Sequence, residues 1–293
     1  MEIKRAKGTR DFFYEDELLR KNVLTLLEET FRLYGFNPLE TPILELYETL
    51  ASKYSGGAEI LKETFTLKDQ GKRDLGLRYD LTVPFARFIA MNPQFKMPVK
   101  RYQIGPVFRD GPLKVGRYRE FYQCDVDVVG MKNVEADAEI IAIAHGIMRS
   151  MSADERNFEI RVSDRRILDS IYRSVDIAKE YAENVTRLLD RRAKINDFEK
   201  ELTALIGHEK KAKKLIEEIE NITSTAYLEE LRTTFEHMGV RNMVVDTKIT
   251  RGFDYYTGMV FEVYDTDPNN RRSLFGGGRY DNLLSLFGGE PIP

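Results

Sequence analysis

Arg117-Tyr118-Arg119-Glu120-Phe121-Tyr122-Gln123-Cys124-Asp125-Val126-Asp127-Val128-Val129 reads as one strand with two unlike faces. Side chains alternate sides along a strand. The odd positions hold Arg117, Arg119, Phe121, Gln123, Asp125 and Asp127. The even positions hold Tyr118, Glu120, Tyr122, Cys124, Val126 and Val128, and this more apolar set is expected to pack on a core. The run before it, 99–109, repeats the asymmetry: Arg101, Gln103 and Arg109 share one parity, Tyr102, Ile104 and Phe108 the other. With the Gly- and Pro-bearing loop 110–116 between them, the two runs predict an antiparallel hairpin. A polar face can simply be solvated. Here a single aromatic ring sits among charges of both signs, which suits a ligand with a flat ring, an anionic part and an amine.

The run 75–82 shows the same alternation, with Arg78, Asp80 and Thr82 opposite Leu77, Tyr79 and Leu81. A solvated edge is the plain reading. The sharper one gives Asp80 and Thr82 to an ammonium donor, because charge strengthens a hydrogen bond. This run pairs with 65–68 around a polar turn. Arg251-Gly252-Phe253-Asp254-Tyr255-Tyr256-Thr257-Gly258 places a charged and aromatic cluster between two glycines, where a backbone turns sharply and a ligand approaches closely.

The remaining chain frames these segments. Apolar residues from Leu19 to Tyr34 recur at helical spacing, with Asp16 as expected N-cap and Gly35 as stop. The stretch 39–44, with Pro42 inside, reads as an edge strand. A short helix is expected at 47–54 and an Ala/Ile-rich one at 135–151. From 165 to 238 the composition turns to Leu, Ile, Glu, Lys and Arg, a helical block large enough for a small domain. Strand-like sequence flanks that block, returning at 243–245 and 259–264. The reading is therefore an α+β domain over 1–164 and 239–293 with a helical insertion at 165–238.

Composition limits the function classes. The 293 residues carry a net charge of −3, which argues against bulk charge as the means of holding nucleic acid. One cysteine excludes a disulfide framework, and three scattered histidines exclude a multi-histidine metal site. No run approaches the roughly 20 apolar residues of a membrane span. The start, Met1-Glu2-Ile3-Lys4-Arg5, lacks an apolar signal segment, so a cytoplasmic protein is expected.

The stretches Leu77-Arg78-Tyr79-Asp80-Leu81-Thr82-Val83-Pro84, Phe108-Arg109 with Gly116 to Gln123, and Arg251 to Gly258 resemble histidyl-tRNA synthetases. Lys7-Gly8-Thr9-Arg10-Asp11 and Gly277-Gly278-Arg279-Tyr280-Asp281 extend the resemblance over nearly the whole chain, in the family's order. It implies a class II aminoacyl-tRNA synthetase-like fold: a mixed, mainly antiparallel sheet flanked by helices, with an inserted helical domain. The first helix and the Pro42 strand resemble the family's first motif, a homodimer interface. The hairpin at Arg109 resembles the second motif. The block 165–238 resembles the insertion that reaches the tRNA acceptor stem.

Carried over by position, the resemblance gives Asp80, Thr82 and Gln123 to the α-amino group of L-histidine, with Leu81 supplying backbone beside them. Asp127 and Tyr256 take the imidazole, with Tyr255 alongside. Arg109 contacts the α-phosphate of ATP and the carboxylate, Phe121 stacks on adenine, and Arg117 faces the ATP base or its phosphate tail. Arg251 lies near the α-phosphate, making Arg109 and Arg251 the catalytic pair. Mg²⁺ accompanies ATP, carried mostly by the phosphates; no protein metal site is expected. The partners implied are L-histidine, ATP, tRNA(His) and a second copy of the chain.

The family's third motif and its anticodon-binding domain would follow Pro293, so the expectation is a C-terminally truncated catalytic portion of reduced activity. A rival reading is a histidine-sensing paralogue such as an ATP phosphoribosyltransferase regulatory subunit. A third, an RNA-binding module, rests on Lys210, Lys211, Lys213 and Lys214. Glu209, Glu217 and Glu218 nearby fit an ordinary solvated helix face instead.

Overall fold

The computed structural model describes residues 2–52, 59–114, 116–152, 154–190, 192, 195–240, 242–247, 249, 256–267, 269–270 and 272–293. The chain divides into two compact units, 1–131 with 282–293, and 132–281.

The first unit opens with α1 (Glu15–Leu33), whose first turn is Glu15, Asp16 and Glu17. Carboxylates are favoured there by the helix dipole. Asp16 thus lies inside the helix and not at its cap, which Tyr14 occupies. Gly35 ends the helix as expected, at φ 78, a conformation that costs glycine little. The strand expected over 39–44 does not form. Two short strands flank a link instead: β1 (Asn37–Pro38) and β2 (Leu44–Leu46). The link's backbone is held by a side chain, since the Thr41 carbonyl accepts from Arg78 at 2.6 Å.

After α2 (Tyr47–Ala51) and α3 (Glu59–Lys62), β3 (Thr66–Lys68) and β4 (Asp74–Leu77) pair antiparallel. With β2 they make a three-stranded sheet in the order β2-β4-β3. The strand expected to run to Thr82 stops at Leu77. Thr82 begins α4 (Thr82–Met91) instead. Asp80 Oδ1 accepts from the Val83 amide at 2.9 Å, satisfying a first-turn donor. Pro84 in the same turn lacks an N–H that would have had no helical partner. The expected alternation therefore fails: Arg78, Tyr79, Asp80 and Leu81 are all buried.

The expected hairpin is present as β5 (Val99–Phe108) and β6 (Glu120–Val129), antiparallel from Val99↔Val129 to Phe108↔Glu120. β1 adds in parallel on the far side of β5. One face of the hairpin takes α1, through Phe31 and Tyr102 with ring centroids 5.5 Å apart. The other takes the segment from Arg78 into α4.

The second unit contains α5 (Val134–Met151), β7 (Phe158–Asp164), α6 (Arg166–Ser174), α7 (Lys179–Asp190), α8 (Phe198–Ile206), α9 (Glu209–Asn221) and α10 (Ala226–His237). It closes with β8 (Met243–Val245), β9 (Met259–Asp265) and β10 (Ser273–Gly278). The strands form one sheet, β10-β9-β7-β8, antiparallel except for β7–β8. Ile160, Val162, Phe261 and Val263 are buried in this sheet, and α5 lays Ile141, Ala144 and Ile147 into the same core. No helix among the described residues is long and apolar enough to cross a membrane.

Candidate functional site

The odd parity of the hairpin is the buried one. Across β5 and β6, Arg101 faces Asp127, Gln103 faces Asp125, Gly105 faces Gln123 and Val107 faces Phe121. Arg101 and Gln103 are almost wholly buried. The even parity does take a helix through Tyr102, yet Tyr122 on that side is 43% exposed. A simply solvated polar face is therefore excluded. Burying a polar group is costly unless it is paired. Arg101 Nη2 and the Gln103 amide find partners, whereas Arg101 Nε and Nη1 are buried without a hydrogen bond among the described residues. Arg101 Nη2 lies 2.6 Å from Asp127 Oδ2 and donates to the Leu81 carbonyl at 3.4 Å. The Arg101 guanidinium rests on the Phe85 ring, 4.2 Å from its centroid. Gln103 and Thr41 hydrogen-bond side chain to side chain.

Arg78 is a structural part of this layer. It is fully buried and donates to the Pro106 carbonyl at 2.9 Å as well as to that of Thr41. Its guanidinium fills the space above Gly105, where any Cβ would overlap Nη2.

Three carboxylates gather near Arg101. Asp80 is committed in part to the α4 first turn. Asp127 is paired with Arg101. Asp125 accepts from Gln123 Nε2, at 2.8 and 3.0 Å to its two oxygens, and from Thr82 Oγ1 at 3.2 Å. Burial pushes the Asp125 carboxyl up to about 6, and Asp127 and Asp80 add to the rise, while Arg101 and Gln123 oppose it. Of the residues expected for histidine, Asp80, Leu81, Thr82, Gln123 and Asp127 thus lie in one polar layer. Arg101 and Asp125 belong to the same layer but carry no role in the family resemblance. Their parity, shared with Gln123 and Asp127, was the available signal.

At the other end of the hairpin Arg109 donates from Nε to the Tyr79 carbonyl at 3.0 Å, and its guanidinium lies 5.1 Å from the Phe121 ring centroid. Anchoring Nε presents the Nη1/Nη2 edge as the fork for an oxyanion. Arg117 stands apart. It precedes β6, in an isolated bridge to Lys114 around Gly116, and is exposed. Gly8 accounts for the early Lys-Gly-Thr-Arg-Asp stretch: its carbonyl accepts from the Arg119 amide at 2.8 Å, and an added Cβ would meet the Arg119 side chain.

In the second unit Tyr256 is buried against Gly278, where a Cβ would lie 2.8 Å from the Tyr256 ring. Thr257 is tied to the end of β10, its amide to the Arg279 carbonyl at 2.8 Å and its hydroxyl to Asp281 at 2.9 Å. Arg279 forms a mostly buried ion pair with Asp137 of α5 at 2.9 Å. Arg251 and Tyr255 lie outside the described residues.

The other singled-out groups are structural. Burial pushes the Cys124 thiol up to about 12, leaving it unreactive. His145 is buried in α5, its ring 5.7 Å from that of Phe158. Lys211, Lys213 and Lys214 pair with Asp176, Glu209 and Glu218.

The family model described as histidyl-tRNA synthetase matches residues 8–293. A histidine–tRNA ligase 1 of Bacillus cereus is 39% identical over 99% of this chain and 72% of its own length. The chain belongs to the histidyl-tRNA synthetase family. A histidine–tRNA ligase of Korarchaeum cryptofilum is likewise 39% identical, over 99% of this chain and 71% of its own. Membership makes this an enzyme of the ligase class. A crystal structure of histidyl-tRNA synthetase from Nostoc superposes with a TM-score of 0.83 at 26% identity, over all of this chain and 72% of that one. A structure from Bacillus halodurans, described as an ATP phosphoribosyltransferase regulatory subunit/histidyl-tRNA synthetase, gives 0.84 at 25% identity over all of this chain and 79% of that one. The α+β fold with antiparallel-rich sheets is the synthetase fold.

Proposed function

We propose that this chain activates L-histidine with ATP and transfers it to tRNA(His). A carboxylate oxygen of histidine attacks the α-phosphorus, the bond to the β-phosphate oxygen breaks, and histidyl-adenylate and pyrophosphate form. The nucleophile is ionised at neutral pH, so no general base is needed. The barrier is electrostatic, since an anion attacks an anion. Arg109 and, on the family's pattern, Arg251 supply guanidinium donors to the α-phosphoryl oxygens as charge builds there. Mg²⁺ enters with ATP, on its phosphates.

One observation carries the reading. Asp80 and Thr82, at the start of α4, and Gln123 and Asp127, on β6, form one polar layer against the hairpin whose other end holds Arg109 against Phe121. The ammonium and imidazole N–H groups of histidine belong to the first set, the phosphate and adenine of ATP to the second. Asp127 then provides selectivity, since a ligand that fails to pair with a buried carboxylate is rejected.

The helical block 165–238 serves as an inserted domain that reaches the tRNA. A second copy covers α1 and β2, whose Leu18, Leu19, Leu44 and Leu46 are exposed. The working compartment is the cytoplasm. Exchange of labelled pyrophosphate into ATP, dependent on L-histidine, tests the activity. Exchange supports a synthetase. Histidine binding without exchange favours the sensor suggested by the likeness to the regulatory-subunit structure.

A further inference from the structure

We infer that Asp125 is a positioning residue that makes the amino-acid site accept hydrogen bonds only, and so selects ligands bearing an ammonium group. The inference rests on the proposed function and deepens it.

A carboxamide and a hydroxyl are ambivalent: each can donate or accept. Gln123 and Thr82 are therefore poor discriminators if left to rotate. The structure shows both spending their donors on one carboxylate. Gln123 directs Nε2 at both oxygens of Asp125, at 2.8 and 3.0 Å. That turns Oε1 to the opposite edge of the amide. Thr82 gives its hydroxyl proton to Asp125 Oδ2 at 3.2 Å. What remains of Thr82 is its lone pairs. Asp125 is itself an acceptor only when ionised, so it cannot return a donor to either partner. With Asp80 and Asp127 beside them, all four groups offer oxygen. An ammonium, with three donors and no acceptor, is the complement.

Charge keeps this arrangement affordable. Arg101, on the facing strand, is the cation that offsets Asp125, while Asp127 and Asp80 oppose its ionisation. Asparagine at 125 has the same shape but carries its own donor. It lets the Gln123 amide reverse and removes the demand on the Thr82 proton, so the site no longer has one polarity.

The test compares L-histidine with imidazolepropionate, which has the ring and carboxylate but no ammonium. Binding is read by calorimetry, and steady-state constants by pyrophosphate exchange, on the intact chain. For Asp125→Asn the expected result is at least a ~10-fold rise in the Kd and KM for histidine, the scale of a lost charge-assisted hydrogen bond. The KM for ATP stays within about twofold, and preference for histidine over imidazolepropionate shrinks by the same ~10-fold. Adding Gln123→Glu to Asp125→Asn restores part of the preference, because a carboxylate at 123 accepts whichever way it turns. Thermal melting checks that each variant is folded. Unchanged preference in Asp125→Asn overturns the inference while leaving the proposed function intact. An equal rise in the histidine and ATP constants overturns it as well, since that is what loosened structure gives. Wild-type chain that binds no histidine overturns the proposed function, and this inference with it.

Discussion

Arg101 and Asp127 meet across β5 and β6 at 2.6 Å, with side chains 3% and 10% exposed. A pair so buried adds little net stability over an apolar substitute, but removal of one partner strands the other. Arg101 also offsets the charge of Asp125, so its loss leaves several carboxylates without their cation. Arg101→Gln should cost about 3–5 kcal/mol of folding free energy. Denaturant unfolding, followed by hydrogen exchange at the β5 and β6 amides, measures this. A cost below about 1 kcal/mol, the range of exposed pairs, would contradict the role.

Arg78 and Gly105 form a lock of a different kind. Gly105→Ala drives a methyl into the Arg78 guanidinium. Overpacking of this sort costs about 1–3 kcal/mol. Arg78→Met removes the clash but leaves the Thr41 and Pro106 carbonyls short of a donor. The double variant should therefore lose less than the sum of the single losses, by more than about 0.5 kcal/mol. Strict additivity would show that the two residues do not share the space.

Asp125 carries a pH signature. Its carboxyl titrates near 6 in the folded chain, above the ordinary 3.8. The folded state therefore holds the proton more tightly. Its stabilising contribution is complete below about pH 4 and is lost as pH rises through 6. Asp125→Asn should accordingly be the more stable protein at pH 7.5, by up to about 3 kcal/mol, and that advantage should fade toward pH 4. Melting curves at pH 7.5 and 4.5 decide it. An advantage that grows on acidification has the wrong sign.

The hairpin was legible in the sequence because alternation is a local property of a strand; its register, Val99↔Val129 through Phe108↔Glu120, comes from the structure. Which face was buried was not legible. The more apolar even set pointed to the core, and only the partners brought by Arg78 to Phe85, distant in sequence, bury the odd set instead. The run to Thr82 was misread for a related reason. Its alternation looks like a strand, but Asp80 and Pro84 are helix-start residues, and the capping bond to Val83 won. The family motifs gave the candidate residues; the side-chain contacts then brought out Asp125 and Arg101, which touch those residues directly.

At the nucleotide end, Arg109→Ala and Arg251→Ala should each lower histidine-dependent exchange at least ~100-fold, the scale of a lost oxyanion donor. Histidine binding should fall far less than exchange, since Arg109 touches only the carboxylate of histidine and the ammonium and imidazole keep their partners. Arg109 is anchored through Nε to Tyr79, so Arg109→Lys should restore little, because an ammonium cannot hold that carbonyl and fork a phosphate together. Wild-type-like exchange in either alanine variant would remove it from the chemistry.

The most direct measurement is the pair of Michaelis constants in pyrophosphate exchange for Asp127→Ala, with the folded fraction fixed by circular dichroism. If the buried polar face reads histidine, the constant for histidine rises by more than ~10-fold while that for ATP stays within about twofold. Equal rises in both would contradict it.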